Sequence, residues 1–339
     1  MMRDILEKLV NGIDLSEEEA QETMERIMEG KATPSQIASF LTALRIKGET
    51  VEEITGFART MRAKAERVEV DISGLVDTCG TGGDGRNTFN ISTTAAFVVA
   101  GAGLPVAKHG NRSVSSRCGS ADVLESLGVN IDMAPSQVAR CLKEVGVGFL
   151  FAPRFHGAMK YAVQPRREIG IRTVFNILGP LTNPAGAQAQ VVGVFHPDLT
   201  EVMAQVLQRL GCRRAFVVHG TDGLDEVTLT GPSKITRLEG DEISTFFLEP
   251  EEVGLERGRL EDIQGGSAEI NAAIARQVLE GRPGPCRDVV LLNAAFGLMA
   301  GGLVDTVREG IALAAESIDS GAARQKLLDL IEFSRSSAA

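Results

Sequence analysis

Four glycines fall within six residues, 80 to 85, of the stretch DTCGTGGDGRNTFNIST at 77–93, and no lysine follows them. Glycine at this density lets the main chain approach a ligand closely. Gly80, Gly82 and Gly85 spell G-x-G-x-x-G, the dinucleotide fingerprint. That fingerprint needs a helix opening directly on the glycines and an acid about 20 residues later. Here Arg86–Asn90 intervenes, and the segment at that distance, Pro105 to Gly110, is basic. A P-loop fails as well, for want of Gly-Lys-Ser/Thr. A plain flexible turn is the remaining alternative. Against it stands the local order. An apolar run ends at Leu75-Val76, the loop follows, and Ser92-Thr93-Thr94 precedes the apolar helical pattern AAFVVAGAG. Strand, glycine loop and helix N-terminus together make an anion site. Asp84 inside the loop suits a metal, a ribose hydroxyl or a cationic centre nearby.

The stretch KHGNRSVSSRCGS, residues 108–120, offers Lys108, Arg112, Arg117, four serines and two glycines. A lysine point charge with hydroxyl and loop N–H donors suits phosphate or pyrophosphate, although a solvated polar loop has the same composition. His109 is as readily a structural histidine as a functional one. In HGTDGLDEVTLTG, 219–231, the carboxylates of Asp222, Asp225 and Glu226 crowd a glycine-containing loop. A cation relieves such repulsion, and magnesium takes one or two carboxylates and fills its shell with water and phosphate oxygens. An acidic surface turn is the alternative. In 155–186, Pro165 interrupts a helical pattern just before Arg166, whose fork suits a carboxylate, either a ligand's or a neighbouring acid's. LGPLTNPAG reads as a hinge or a chain crossing.

These segments need elements to hold them. Residues 1–70 read as purely helical. Ser16 with Glu19, Thr33 with Gln36 and Thr50 with Glu53 fit capping boxes, and Pro34 stands at N1. Ile37, Phe40, Leu41 and Leu44 form one apolar stripe, which implies a small bundle without visible chemistry. From about residue 71, VDTCG, LPVAKHG, VGFLFAP, QVVGVF and RAFVVHG read as buried strands separated by helices such as SQVARCLKEVG and TEVMAQVLQRLG. This alternation predicts an α/β sheet, mostly parallel. Segments 227–231, 234–238 and 243–248 read as short antiparallel strands, and 268–281, 286–301 and 304–335 as helices. Ligands of open α/β sheets sit at the carboxyl ends of strands. The glycine loop, Lys108-His109 and 219–222 all follow strand-like runs and so can share a rim.

The 339 residues suffice for about two domains, with 43% hydrophobic and 24% charged residues. A net charge of -10 without a basic patch argues against a nucleic-acid partner, and the absence of tryptophan argues against base stacking. Five scattered cysteines, Cys79, Cys118, Cys141, Cys212 and Cys286, show no C-x-x-C spacing, as expected of a reduced, cytoplasmic protein without structural zinc. The first residues lack the apolar core of a signal peptide, and no apolar run reaches the roughly 18 residues of a membrane span.

Taken in order, CGTGGD (79–84), NTFNIST (87–93), KHGNRSVSSRCGSAD (108–122), RREIGIRTVFNILGPLTNP (166–184) and HGTDGLDE (219–226) closely resemble the anthranilate phosphoribosyltransferase family, end to end. The resemblance implies transfer of a phosphoribosyl group from phosphoribosyl pyrophosphate to anthranilate, giving N-(5-phosphoribosyl)anthranilate and pyrophosphate, in tryptophan biosynthesis. It implies a nucleoside phosphorylase/phosphoribosyltransferase-type fold. A small helical domain (1–70, with part of 165–187 returning to it) stands beside a larger α/β domain (71–164 and 188–339). By matched position, Gly80, Gly83, Asp84, Thr88, Asn90, Ile91, Ser92 and Thr93 line the donor site. Lys108, His109, Gly110, Asn111, Arg112, Ser113, Val114, Ser115 and Ser116, with Ser120, complete it. Ser92, Asp225 and Glu226 would bind Mg2+, as two ions. Gly80, Asn111 and Arg166 would hold anthranilate, with His109 nearby and Arg166 at its carboxylate. No residue is expected as acid or base, since an arylamine is neutral at pH 7; His109 and Lys108 would support. Family members are usually homodimers joined through helical domains. Two rivals remain: pyrimidine nucleoside phosphorolysis on the same fold, which KHGNR and GLDE fit less well, and a nucleic-acid-binding relative, disfavoured by net charge and the intact Asp225-Glu226 pair.

Overall fold

In the computed structural model, residues 2–113 and 117–336 are described. Four helices come first: α1 Met2–Val10, α2 Glu17–Met28, α3 Pro34–Lys47 and α4 Val51–Lys64. Both members of each expected capping box are engaged at α2, α3 and α4, and Pro34 begins α3. Glu53 does more than cap. Fully buried, it also accepts from the Leu15 N–H (2.9 Å) and pairs with Lys47 (3.0 Å), so it ties the α1–α2 turn to α4.

The rest of the chain runs β1 Val76–Gly80, α5 Ile91–Gly101, β2 Val106–Gly110, α6 Ser120–Leu127, α7 Pro135–Glu144, β3 Val147–Phe151, α8 Ala152–Phe155, α9 Lys160–Ile169 and α10 Phe175–Leu178. It continues through β4 Ala189–Gly193, α11 Leu199–Arg209, β5 Arg214–Gly220, β6 Ser233–Glu239 and β7 Glu242–Leu248, and ends with α12 Ala268–Leu279, α13 Pro285–Ala300, α14 Val307–Asp319 and α15 Ala322–Ser336. The strands form one sheet in the order β3-β2-β1-β4-β5-β6-β7. The first five are parallel, and β6 and β7 add antiparallel. All five expected parallel strands are present. β1 registers with β4 along its whole length, Val76↔Ala189 to Gly80↔Gly193, but with β2 only at Val76↔Val106. The sheet is therefore parted between the carboxyl halves of β1 and β2.

Because side chains alternate along a strand, each face of the sheet meets a different core. Val76, Val191, Phe216 and Val218 pack with α5 and α12–α15. Cys79, Val192, Ala215 and Val217 join the core of α1–α4, α10 and α11. Helices on both faces explain why the central strands read as continuous apolar runs.

Three local expectations need correction. Residues 227–231 are not a strand. Their main chain is satisfied by side chains instead, with the Val227 N–H on Asn293 Oδ1 (3.0 Å) and the Thr228 N–H on Ser233 Oγ (2.9 Å). The helix expected over 304–335 is two, α14 and α15, parted at Gly321, whose φ of 80° favours glycine. Pro165 does not break its helix: α9 runs through it to Ile169. Its ring is buried with Ala162 on the same face of α9, so an apolar contact offsets the lost hydrogen bond.

Candidate active site

β1 ends at Gly80, and the loop beyond turns at positive φ at Gly82 (64°), Gly83 (76°) and Gly85 (73°). Gly80 is needed for another reason: a Cβ there would lie 2.7 Å from Asp225 Oδ2. That oxygen accepts the Gly82 N–H at 2.8 Å. Glu226 Oε1 accepts the Ser92 N–H at 3.1 Å. Since α5 opens at Ile91, Ser92 and Thr93 lie in its first turn, where the helix end favours a negative charge. The two acids thus occupy N–H groups that the sequence marks for an anion. Asp222, the third acid of its cluster, braces the loop. It accepts from Thr228 Oγ1 (2.6 Å), Thr230 Oγ1 (2.5 Å) and the Leu224 N–H (3.1 Å).

Asp225 and Glu226 are held up in pKa. Burial is the main cause for both; Asp84 adds to the shift at Asp225, and Asp225 to that at Glu226. Lys108, 4% exposed, lies inside β2 rather than after it. Burial pulls its pKa down, against the fields of Asp77, Glu226 and Asp225. Its Nζ donates to the Thr78 carbonyl and reaches Ser92 Oγ at 3.5 Å. Among the described residues no three metal-ligating side chains converge into a cage. The donor set still fits magnesium, which asks for only one or two carboxylates beside water and phosphate oxygens. Two adjacent half-buried carboxylates, with Asp84 raising the pKa of Asp225 and Asp225 that of Glu226, are a place where a cation lowers the energy.

The polar loop after β2 folds back on α6. The Asn111 N–H donates to Ser120 Oγ (3.1 Å), and Ser120 Oγ donates to the Asn111 carbonyl (3.2 Å). Gly110 permits this, since a Cβ would collide with Ser120 and Phe149. The guanidinium of Arg112 is tied to Asp122 (2.9 Å) and Glu125 (2.5 Å). The Ser113 N–H bonds Asp122 (3.1 Å). Val114, Ser115 and Ser116 lie outside the described residues. Asn90 is fixed by the Cys118 carbonyl (3.3 Å) and by Asn271 Nδ2 (2.9 Å). Thr88 bridges to Gln264.

The facing wall comes from α8–α10. Arg166 is half-buried, its pKa lowered by burial, and no carboxylate among the described residues pairs with it. Its guanidinium lies 4.9 Å over the Phe175 ring. His109 Nδ1 meets the Gly179 carbonyl at 3.1 Å, while its Nε2 has no hydrogen-bond partner among the described residues. The His156 ring, 5.2 Å away, has none among the described residues at either nitrogen. Burial pushes His109 down to about 3, with His156 adding to the effect, and His156 down to about 4. Both rings are neutral at ordinary pH.

One cavity of about 560 Å3 joins these walls; the described residues that the resemblance assigns to the site line it, whereas Arg117 and Asp222 do not. Sequence reasoning missed His156, Met159, Phe175, Asn176 and Thr182 on the same lining. Their only signal was their place in 155–186, where a turn-rich stretch gives no hint of which side chains face inward. His219, by contrast, is spent on the Val194 carbonyl (2.7 Å).

Comparison with known proteins covers nearly the whole chain. Residues 73–324 match the glycosyl transferase family α/β domain, and 3–65 the helical bundle domain of the same family. A curated relative from Moorella thermoacetica, an anthranilate phosphoribosyltransferase, is 66% identical over 339 residues, all of both chains. The crystal structure of anthranilate phosphoribosyltransferase from Thermus thermophilus superposes with a TM-score of 0.93 at 47% identity, over 98% of this chain and 99% of that one. The Saccharomyces cerevisiae anthranilate phosphoribosyltransferase in complex with PRPP and Mg follows at 0.91 and 31%, over 99% and 98%.

Proposed function

The chain belongs to the family of anthranilate phosphoribosyltransferases, and from that premise we propose a reaction and a division of labour for its cleft. The enzyme transfers the phosphoribosyl group of phosphoribosyl pyrophosphate to anthranilate, in tryptophan biosynthesis. The C1–O bond to pyrophosphate breaks, the bond from C1 to the arylamine nitrogen forms, and the amine proton passes to solvent. The observation that carries this reading is the pairing of walls. A glycine loop with Lys108 and two half-buried acids faces Arg166, an arginine that no described carboxylate neutralises, across one cavity.

The donor lies along Gly83, Asp84, Thr88, Asn90, Ile91 and Thr93, with Gly110, Asn111, Ser113 and Ser120 beyond. Arg112 reaches it only by exchanging Asp122 and Glu125 for phosphate. Lys108 offers positive charge to the departing pyrophosphate. Ser92, Asp225 and Glu226 hold magnesium, as two ions; when bound, magnesium neutralises the pyrophosphate charge. The acceptor sits between Gly80, Asn111 and Arg166, its carboxylate on the guanidinium fork. His109, held neutral, orients the ring edge rather than moving a proton. With no acid or base needed, the rate comes from placing two substrates and supporting the charge that develops between them.

The helical domain comprises 1–70 and part of 165–187, and the α/β domain 71–164 and 188–339. Packing of Val174, Phe175, Ile177, Leu178 and Leu181 into one core with α1–α4 supports the return of 165–187 to the helical domain. Two copies pair through the helical domains. Val10 (71% exposed) and Ile46 (82%) on α1 and α3 supply an apolar face for it. A cytoplasmic setting agrees with five cysteines that form no disulfide. No described helix is long and apolar enough to cross a membrane. The deciding experiment follows loss of anthranilate fluorescence with phosphoribosyl pyrophosphate and magnesium. No loss with folded enzyme would overturn the assignment, and phosphorolysis of a pyrimidine nucleoside would favour the rival.

A further inference from the structure

The parting of β1 from β2 has a side chain in it. Asp77, the second residue of β1, is completely buried. Its Oδ1 accepts the N–H of His109, the group a regular ladder would give to a β1 carbonyl, at 3.1 Å. Its Oδ2 accepts from Asn183 Nδ2 at 2.8 Å. The same Nδ2 bonds the Ala107 carbonyl at 2.8 Å, and Asn183 Oδ1 accepts the Ala185 N–H at 2.9 Å. Asp77 thus grips two things at once: the peptide joining Lys108 to His109, and the turn that follows Gly179, whose carbonyl meets His109 Nδ1.

That peptide is a branching point. Neighbouring residues of a strand point to opposite faces. Lys108 leaves it toward Thr78 and Ser92, on the side of the acids, and His109 leaves it toward His156 and the wall that carries Arg166. We propose that Asp77 is a positioning residue for phosphoribosyl transfer, setting through one main-chain N–H the relative placement of the donor side and the acceptor side of the cleft. The inference rests on the transferase reading above. Asp77 touches neither substrate in that reading and does not line the cavity.

Chemistry restricts the position to a carboxylate. His109 and Asn183 both present donors, and a charged carboxylate is acceptor-only. An amide at 77 satisfies one of them and turns its own NH2 on the other. Reversing Asn183 in response costs that residue its bonds with Ala107 and Ala185. Burial pushes the Asp77 carboxyl up, while Asn183, Lys108 and the His109 N–H act against it. Misplacement of reacting groups by about 1 Å costs on the order of 100-fold in rate.

The test compares wild type with Asp77→Asn in three measurements: thermal unfolding, kcat and KM for both substrates, and calorimetric affinity for inorganic pyrophosphate with magnesium. The variant is expected to fold, to lose about 10- to 100-fold in kcat, and to bind pyrophosphate within about threefold of wild type, since every residue that lines the donor side of the cleft is unchanged. A purely structural role would lower the melting temperature and leave kcat per folded molecule unchanged. A kcat within threefold of wild type overturns the proposal. So does a pyrophosphate affinity that falls as far as kcat, which would make Asp77 a donor-binding determinant. Should Asp77→Asn not fold, Asn183→Ala decides, because it removes one of the two grips and leaves the His109 bond. About a 3- to 10-fold lower kcat with pyrophosphate affinity retained supports the role, and an unchanged kcat overturns it. Wild type without transferase activity would overturn the functional reading instead, so the two failures are told apart.

Discussion

Arg166 owes its availability to what surrounds it. The guanidinium rests on Phe175 and has no described carboxylate partner, so an incoming carboxylate need not displace an acid. A charged hydrogen bond contributes roughly 1.5–3 kcal/mol. Arg166→Ala should therefore weaken anthranilate by about 10- to 150-fold and leave the donor affinity nearly unchanged; equal losses for both substrates in steady-state kinetics would contradict the assignment. Asp225 and Glu226 test the metal. Asp225→Asn/Glu226→Gln should need more magnesium for activity, with partial rescue by excess, since occupancy follows mass action. Without metal it should melt no lower than wild type, because two crowded, half-buried acids are replaced by neutral amides. Full activity at the wild-type magnesium midpoint would sink the reading. The two buried histidines predict a pH effect. Unfolded, each takes a proton near 6.5; folded, only near 3 and 4. The unfolded chain then binds more protons, so their contribution is complete above about 6.5 and is lost as pH falls toward 4. Calorimetry from pH 7 to 4.5 should show a shallower decline in melting temperature for His109→Gln/His156→Gln; identical slopes would rule this out.

Elements carry functional residues only as far as their ends are fixed. The Glu53 carboxylate satisfies the Thr50 and Leu15 N–H groups and Lys47, although it is fully buried. Removing one member of a buried charged set costs about 3–5 kcal/mol. Glu53→Ala should lower unfolding free energy in urea by that order while kcat per folded molecule stays near wild type. A change below about 1 kcal/mol would show that the capping box alone matters. The first residue of the glycine loop behaves differently. Gly80→Ala inserts a Cβ against Asp225 Oδ2, so it should impair activity and raise the magnesium requirement with little change in melting temperature.

At the scale of the molecule, helical and sheet layers are joined by arginines. Arg62 donates from α4 to the carbonyls of Leu181 (2.6 Å) and Leu210 (3.0 Å), and Arg59 to that of Arg209 (3.1 Å), the last two at the C-terminus of α11. Cations there complement the helix dipole. The pairing of copies has its own test: Ile46→Asp places a charge at the exposed isoleucine of α3 and should yield monomers by analytical ultracentrifugation. An unchanged dimer would move the interface elsewhere.

Local rules sufficed for much of this protein. Capping boxes made α2–α4 legible, apolar runs alternating with helical patterns gave the five parallel strands, and glycine density with nearby hydroxyls and charges marked the loops of the cleft. Those signals lie within a few residues of what they predict. Where they failed, distant partners decided. Pro165 stays inside α9 because its ring is buried, and 227–231 leaves the sheet because Asn293, some 60 residues on, takes the Val227 N–H. The sequence could mark Arg112 as a cation but not that Asp122 and Glu125 claim it, and it gave no sign of His156 or Phe175 at the wall. Asp77 is the sharpest case. In VDTCG it is one polar residue in a strand; only the tertiary structure brings the His109 N–H and the Asn183 amide to its two oxygens, because those donors lie 32 and 106 residues away and meet it solely through the packing of the sheet.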